Sequence, residues 1–84
     1  MSVTWTHHAE QRLVEWSRRR GVTRDKVEDL VASPTQLVPG DLGTMVAQVR
    51  YGGGLLRVVF AEEADERRIL TLYWTSRVER YWQG

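Results

Sequence analysis

The hydrophobic periodicity of this chain changes once, at Pro39-Gly40-Asp41, and that change limits the folds that its 84 residues can form. Before this turn signal, apolar residues recur every three or four positions, which is the period of an amphipathic α-helix. After it, apolar residues alternate with polar ones or run together over short segments, as they do in β-strands. Helical segments followed by strands within one short chain predict an α+β fold.

Two helices are predicted in the first half, with Thr6 and Thr23 as their N-caps. The first ends in three arginines followed by Gly21, a combination that suits a helix C-terminus. The second is expected to stop near residue 32, because Pro34 disfavours helical backbone at the residue before it. The buried stripes are Ala9, Leu13 and Trp16 in the first helix, and Val27, Leu30 and Val31 in the second.

Three strands are predicted in the second half, over residues 44–51, 55–60 and 69–75. Glycines 52–54 are expected to join the first two strands as a hairpin, and the acidic residues 61–67 to form an exposed loop before the third. Residues 3–5 are expected to add a short edge strand. The predicted fold is therefore α+β in the order (β)ααβββ, one domain over residues 1–84, with both helices on one face of an antiparallel sheet.

Because successive strand residues point to opposite sides of a sheet, alternation assigns each of them to one of two faces. The apolar sets expected under the helices are Met45, Ala47, Val49 and Tyr51, then Leu56, Val58 and Phe60, then Leu70, Leu72 and Trp74. The other face is expected to include Ile69 and the polar residues Gln48, Arg50, Arg57, Thr71, Tyr73 and Thr75. This face suits RNA, because guanidinium groups bind phosphate and aromatic rings stack on bases; an ordinary exposed sheet face is the alternative.

Composition limits the cellular compartment that we expect for this protein but does not identify its binding partner. Cysteine is absent, no apolar run approaches the roughly 20 residues of a membrane span, and the first residues do not form a signal peptide. We therefore expect a cytoplasmic protein that makes no membrane contact. A core this small would gain from a homodimer or a permanent partner. Eleven of the twelve basic residues are arginine, which reflects either phosphate and carboxylate binding or a GC-rich genome.

The element order and two stretches of sequence resemble the RelE/ParE toxin superfamily. The first helix opens Thr6-His7-His8-Ala9-x-x-Arg12, like a branch of small proteins that begin it with His-Ala-x-x-Arg. The ending Thr71-Leu72-Tyr73-Trp74-Thr75-Ser76-Arg77-x-Glu79-x-Tyr81 is similar to BrnT-type toxins, whose last strand runs into Ser-x-Arg and then a Glu. The chain departs from lysine-based RelE sites, since its one lysine lies on a helix, and it lacks the basic C-terminal run of BrnT-type toxins.

The resemblance implies the toxin of a type II toxin–antitoxin pair, with a cognate antitoxin and RNA as partners. RelE-like and BrnT-like members cleave RNA, whereas ParE-like members inhibit gyrase. Carried over by position, Arg57 matches a basic residue of the middle strand, Ser76 and Arg77 match the Ser-x-Arg ending, and Tyr81 matches a terminal aromatic residue. The remaining alternatives are a non-catalytic toxin-fold protein that acts on a protein target and a small housekeeping dimer.

Cleavage of RNA by its own 2′-hydroxyl needs a base, positive charge for the phosphorane, and an acid for the leaving oxygen. The catalytic candidates are Arg57 and Arg77 for charge, Tyr73 or Tyr81 for orientation or proton donation, and Glu79 or His8 as the base. The further candidates for RNA binding are Gln48, Arg50, Ser76 and Arg80. No metal or cofactor is expected, because the adjacent His7 and His8 would point about 100° apart on a helix and do not share one ion easily.

The basic residues at the end of the first helix allow more than one interpretation. Arginines 18–20, together with Arg24, form either a phosphate-binding patch or a solubilising helix end whose charge matches the helix dipole. Trp82, close to the end of the chain, is a candidate partner-binding residue, whereas Trp5, Trp16 and Trp74 are expected in the core. The acidic loop would repel nucleic acid, so RNA is expected to approach from elsewhere.

Overall fold

The computed structural model describes residues 1–84, and its elements follow the predicted order with one additional strand and one additional short helix. They are β1 (Ser2–Trp5), α1 (His7–Arg20), α2 (Arg24–Ala32), β2 (Gln36–Pro39), β3 (Met45–Tyr51), β4 (Gly54–Glu63), β5 (Glu66–Thr75) and α3 (Val78–Tyr81). A short 3-10 turn over Asp41–Gly43 connects β2 to β3. None of the helices combines the length and hydropathy that a membrane span requires.

Both predicted helix starts are confirmed by their capping hydrogen bonds. The Thr6 hydroxyl accepts a hydrogen bond from the Ala9 amide at 3.1 Å, and the Thr23 hydroxyl accepts one from the Lys26 amide at 3.2 Å. Gly21 ends α1 with a φ of 68°, the left-handed conformation that glycine adopts without a side-chain clash. The Thr6 hydroxyl also donates to the carbonyl of Ile69 at 3.0 Å, which fixes the start of α1 against β5.

The five strands form one sheet in the order β1-β5-β4-β3-β2. The α+β class and the two helices on one face are confirmed, but the sheet is mixed rather than antiparallel. β2 to β5 pair antiparallel, whereas β1 pairs parallel with β5, from Ser2 opposite Glu66 to Trp5 opposite Ile69. Nearly the whole chain separates β1 from β5, so no hairpin forces that pair to run antiparallel.

The predicted acidic loop over residues 61–67 is wrong. β4 continues to Glu63 and β5 begins at Glu66, so only Ala64 and Asp65 form the turn. One oppositely charged pair crosses the extended hairpin, the 3.2 Å ion pair between Glu62 and Arg67, while Glu63 lies opposite Glu66. Charged residues are poor strand formers in isolation, and this cross-strand pairing compensates for their low propensity.

A β-bulge in β5 exchanges two predicted face assignments. Phe60 pairs with Ile69, whereas the preceding Val59 pairs with Thr71, so Leu70 is an extra residue on its strand. Ile69 therefore joins the fully buried core under the helices, and Leu70 lies on the opposite face beside Thr71. Simple alternation had placed the two residues the other way round.

The core lies between α1, α2 and the sheet. Its members are apolar side chains from both helices and from β3, β4 and β5, with Phe60, Leu56, Val58, Ile69 and Leu72 fully buried. At its margin, the indole N–H of Trp5 donates to a carboxylate oxygen of Glu28 at 2.7 Å, which connects β1 to α2. Because the helices cover this face of the sheet, its side chains are not accessible to a large ligand.

Candidate functional site

Three polar side chains lie side by side on the face away from α1 and α2. Gln48 on β3 pairs with Arg57 on β4, and Arg57 pairs with Tyr73 on β5. Their shared face is the one that strand alternation predicts. Gln48 is fully buried and Arg57 is only 9% exposed, so another part of the chain covers this row.

The covering element is the C-terminal segment, residues 76–84, which folds back across the sheet from the end of β5. The carbonyl of Tyr81 accepts a hydrogen bond from the Gln48 amide at 2.9 Å. The ring centroid of Tyr81 lies 3.9 Å from the guanidinium carbon of Arg57. Leu55, on the same face, is also fully buried. Residues 76–84, which the sequence predicted to extend the polar face of the sheet, therefore cover that face.

Gln36, on the strand β2 that the sequence did not predict, fastens the C-terminal segment to the sheet. Its side-chain oxygen accepts hydrogen bonds from the Gln83 amide at 2.9 Å and from Gln48 at 2.6 Å. Its side-chain nitrogen donates to the Gln83 carbonyl at 3.0 Å. The side-chain amide thus bonds both backbone groups of Gln83, as a neighbouring strand would do.

Arg57 is held in one orientation by three neighbours. Its Nε donates to the side-chain oxygen of Gln48 at 2.8 Å, and its Nη1 donates to the hydroxyl of Tyr73. Tyr81 covers one face of the guanidinium group. No carboxylate lies within ion-pair distance of Arg57, and its Nη2 has no acceptor in the protein. A buried charge is normally paired, and the free Nη2 of this guanidinium can donate a hydrogen bond to an external anion.

Two open clefts adjoin Arg57, with volumes of about 700 and 510 Å³. Both are lined by Arg57, Arg80, Tyr81 and Pro39. The larger cleft also includes Tyr73, Thr71, Leu70, Val59, Val46, Thr44, Gly40 and Asp41. Two arginines, two phenol rings and apolar walls at one place can receive an anionic group that carries a planar ring.

The pKa of Tyr73 is raised above its ordinary value, first because burial disfavours the charged phenolate. The neighbouring Arg57 cation opposes this shift, and the nearby Tyr81 phenol adds to it. Tyr73 is therefore a neutral phenol at neutral pH. Since Arg57 donates to the Tyr73 oxygen, the phenol keeps its own proton for donation to another group.

Asp41 is a cleft residue that the sequence analysis did not identify. It is the only carboxylate that lines either cleft, and it begins the 3-10 turn after β2. Its backbone carbonyl accepts hydrogen bonds from the Thr44 amide at 3.1 Å and the Thr44 hydroxyl at 2.6 Å, which fix the turn. The motif Pro39-Gly40-Asp41 predicted only a turn, because no local pattern relates it to Arg57.

The structure brings together only some of the residues predicted for the site. Gln48, Arg57, Tyr73 and Tyr81 are in contact, and Arg80 lines the clefts. Gln48 is fully buried, and its side-chain oxygen accepts a hydrogen bond from Arg57, which fixes the orientation of that guanidinium group.

The other predicted residues lie elsewhere. His8 is exposed on α1, which covers the opposite face, so it is not beside the clefts. Ser76 and Arg77, which precede α3, and Glu79, on α3, are exposed and line neither cleft. Arg50 is exposed at the end of β3, over the ring of Trp82 at 5.2 Å. No three His, Asp or Glu side chains converge as a metal site.

Two helices that cover one face of a five-stranded sheet define an α+β fold. This fold is similar to the crystal structure of BrnT, a ribonuclease toxin of Brucella abortus, with a TM-score of 0.61 over 92% of this chain and 99% of that chain. The two chains are 13% identical in sequence, so the similarity establishes the fold. The predicted likeness to BrnT-type toxins is confirmed at that level. No family model and no curated protein matches the chain by sequence.

Replacing Gln36 with alanine is expected to loosen the C-terminal segment. The change removes both hydrogen bonds to the Gln83 backbone and one to Gln48, at a total cost of about 1 kcal/mol in the free energy of unfolding. Amide hydrogen exchange should accelerate at Gln83, while urea denaturation gives the global cost. Gln11→Ala, which removes an exposed amide on α1, is the control. Unchanged exchange at Gln83 would show that Gln36 does not fasten the segment.

Alkaline titration should separate Tyr73 from the other tyrosines. Because its folded-state pKa is raised, its contribution to stability is complete below the unfolded pKa of about 10 and is lost as pH rises through the folded value. The difference in tyrosinate absorbance between the wild type and Tyr73→Phe should show a phenol that ionises above pH 10. Tyr73→Phe should also lose less stability than the wild type between neutral and alkaline pH. If the phenol that Tyr73→Phe lacks ionises in the wild type at or below the ordinary tyrosine pKa, this assignment is wrong.

Proposed function

We propose that this chain is an RNA-cleaving toxin of a type II toxin–antitoxin pair, which acts on single-stranded RNA. The main support is Arg57, a buried cation that lacks a carboxylate partner and whose free Nη2 edge adjoins two open clefts. The shared fold with BrnT, described as a ribonuclease toxin, adds support from an independent direction. The partner in the cell would be an antitoxin that covers the clefts.

The lining of the clefts suits a single-stranded nucleotide better than a free phosphate ion. Arg57 and Arg80 can bind phosphate oxygens, while Tyr73 and Tyr81 offer rings on which an unpaired base can stack. A paired base inside a duplex would not expose its face to these rings. The substrate class is therefore RNA with unpaired bases.

The proposed reaction is transesterification within the RNA. The 2′-oxygen attacks the adjacent phosphorus atom, the bond from phosphorus to the 5′-oxygen breaks, and the products are a 2′,3′-cyclic phosphate and a 5′-hydroxyl. A base takes the proton of the 2′-hydroxyl, and an acid gives a proton to the 5′-oxygen. The phosphorane carries additional negative charge, which preorganised cations stabilise.

Residues of the larger cleft can take each of these roles. Arg57 is fixed by Gln48 and Tyr73, so it can stabilise the phosphorane without reorganising. Tyr73 retains its proton at neutral pH and can donate it to the leaving oxygen. Asp41 is the carboxylate of the cleft and can accept the 2′-hydroxyl proton. This assignment replaces Glu79 and His8, which lie outside the clefts.

A second candidate is a toxin-fold protein that binds its target without catalysis. The observation in its favour is the cover that Tyr81 places on Arg57, which leaves the residue 9% exposed. A target that contacts only the outer edge of the guanidinium group could be bound by a site that has no base or acid. Measurement of RNA cleavage distinguishes the two candidates.

Replacing Arg57 with glutamine should lower the rate of RNA cleavage by about 100-fold or more, because the phosphorane loses a fixed cation. Arg57→Lys should also be slow, since lysine keeps the charge but loses the planar contacts to Gln48 and Tyr73. Rates are measured on a fluorogenic RNA with the purified protein, and growth arrest on expression gives a second readout. Arg68→Gln, an exposed change on β5, is the control.

The Arg57 result is interpreted only for variants that keep the wild-type circular dichroism spectrum and unfold cooperatively. If either Arg57 variant is folded and cleaves RNA at the wild-type rate, then Arg57 has no part in the reaction. If the wild type itself cleaves no RNA and causes no arrest, the enzymatic proposal fails and the binding function remains.

Replacing Asp41 with asparagine should lower kcat by roughly 10²- to 10⁴-fold, the usual contribution of a general base. The substitution preserves shape, and the backbone carbonyl that anchors Thr44 stays in place. Glu79→Gln and His8→Gln are matched controls from outside the clefts. If Asp41→Asn cleaves RNA at the wild-type rate while Glu79→Gln or His8→Gln is slow, then the residue changed in the slow variant is the base.

A further inference from the structure

The basic residues divide into those that have carboxylate partners and those that do not. Four of the twelve form ion pairs, namely Arg12, Arg24, Arg67 and Arg68. The other seven arginines have no carboxylate within ion-pair distance: Arg18, Arg19, Arg20, Arg50, Arg57, Arg77 and Arg80. Lys26 is also unpaired and lies beside Asp25 in the sequence. Arg24, which the sequence grouped with residues 18–20, thus belongs to a different set.

The seven unpaired arginines occupy connected parts of the surface. The last turn of α1 reaches the end of the sheet at which β3 and β5 finish, since the Tyr51 hydroxyl donates to the Arg20 carbonyl at 3.1 Å. At that end, the guanidinium carbon of Arg20 lies 3.5 Å from the ring centroid of Trp74. Arg50 precedes Tyr51 on β3, and Arg77 follows shortly after the last residue of β5.

From this end the C-terminal segment leads back to the clefts. Trp82, on that segment, lies under Arg50, and Arg80 lines both clefts together with Arg57. The arginines therefore extend from the clefts, over the end of the sheet, to the last turn of α1. We call this surface the arginine band, and its members are the seven arginines without a carboxylate partner.

Aromatic rings support several guanidinium groups of the arginine band. Arg19 lies over Trp16 at 4.6 Å, Arg20 over Trp74 and Arg50 over Trp82. A ring occupies the face of a guanidinium group and leaves its N–H edge free to donate hydrogen bonds. The band thus presents donors for anionic oxygens in a partly fixed arrangement, and these donors do not need to break an ion pair first.

The acidic residues are concentrated elsewhere. The hairpin between β4 and β5 carries Glu62, Glu63, Asp65 and Glu66 at the opposite end of the sheet. Two carboxylates lie at the arginine band itself, Asp41 in the larger cleft and Glu79 on α3, and Asp25 lies on α2. The net charge of +1 therefore conceals a molecule with one basic end and one acidic end.

We infer that the arginine band is the path of the RNA strand, on which residues 18–20 bind phosphates several nucleotides away from the phosphate that Arg57 holds. The inference rests on the proposed function, because Arg57 marks the point where the strand would be cut. A polyanion with regularly spaced charges matches a row of unpaired arginines that spans more than one element. The affinity for RNA should consequently increase with the length of the strand.

The test compares two double variants that remove the same charge. Arg18→Gln with Arg19→Gln lies in the arginine band, whereas Arg12→Gln with Arg68→Gln removes two ion-paired arginines outside it. Binding is measured by fluorescence anisotropy on 2′-O-methyl RNA, which cannot be cleaved, as a trinucleotide and as an oligonucleotide of about twelve nucleotides. The salt dependence of each affinity is recorded.

The band variant should bind the longer RNA roughly tenfold more weakly, with a log–log salt slope shallower by about 0.7 for each phosphate that the variant no longer neutralises. The band variant should bind and cleave short RNA as the wild type does. The control variant should lower the affinity for either RNA only by the amount that the altered net charge explains. Equal affinities of the two variants for the longer RNA overturn the inference, and leave an acidic protein as the partner of this surface. Retained cleavage of short RNA in that case shows that the proposed function stands without the band.

Discussion

The hydrogen bond from Arg57 to Gln48 determines how one face of this protein is organised. Gln48 is fully buried, and its amide group can accept from Arg57 only because its nitrogen donates to Gln36 and to the carbonyl of Tyr81. The charge of Arg57 is thereby fixed on one side by the sheet and on the other by the C-terminal segment. A buried arginine without a carboxylate partner is costly to desolvate, and the hydrogen bonds to Gln48 and Tyr73 offset only part of that cost.

The same network explains why the two least predictable elements of the chain occur together. β2 is four residues long and contains a proline, and α3 is a single helical turn, so neither is stable by itself. Gln36 joins β2 to the C-terminal segment through both backbone groups of Gln83. Each element is thus held by the polar row Gln48, Arg57 and Tyr73 on the sheet. Residues of β2 and of the C-terminal segment form walls of the clefts beside that row.

Local rules predicted the parts of the fold that local interactions form. The caps at Thr6 and Thr23, the turn at Gly21 and the row Gln48, Arg57 and Tyr73 all follow from spacing or alternation. The bulge at Leu70 could not be predicted, because it depends on how β5 pairs with β4.

The site residues also divide into those that local sequence predicts and those that depend on contacts across the fold. Arg57 and Tyr73 were predicted from their own strands, whereas Asp41 and Gln36 act across the fold and carried no local signal. His8 and Glu79 were chosen by residue type, and the structure places them away from the clefts. Under the proposed function, the arginines also differ in kind. Arg57 has little rotamer freedom left to lose when it meets a phosphate, whereas an exposed arginine such as Arg18 loses up to about 2 kcal/mol of side-chain entropy. Fixed geometry suits the stabilisation of a transition state, and mobile charge is sufficient to retain a flexible strand, so under that function one residue type serves both purposes, according to whether neighbouring side chains hold its guanidinium group.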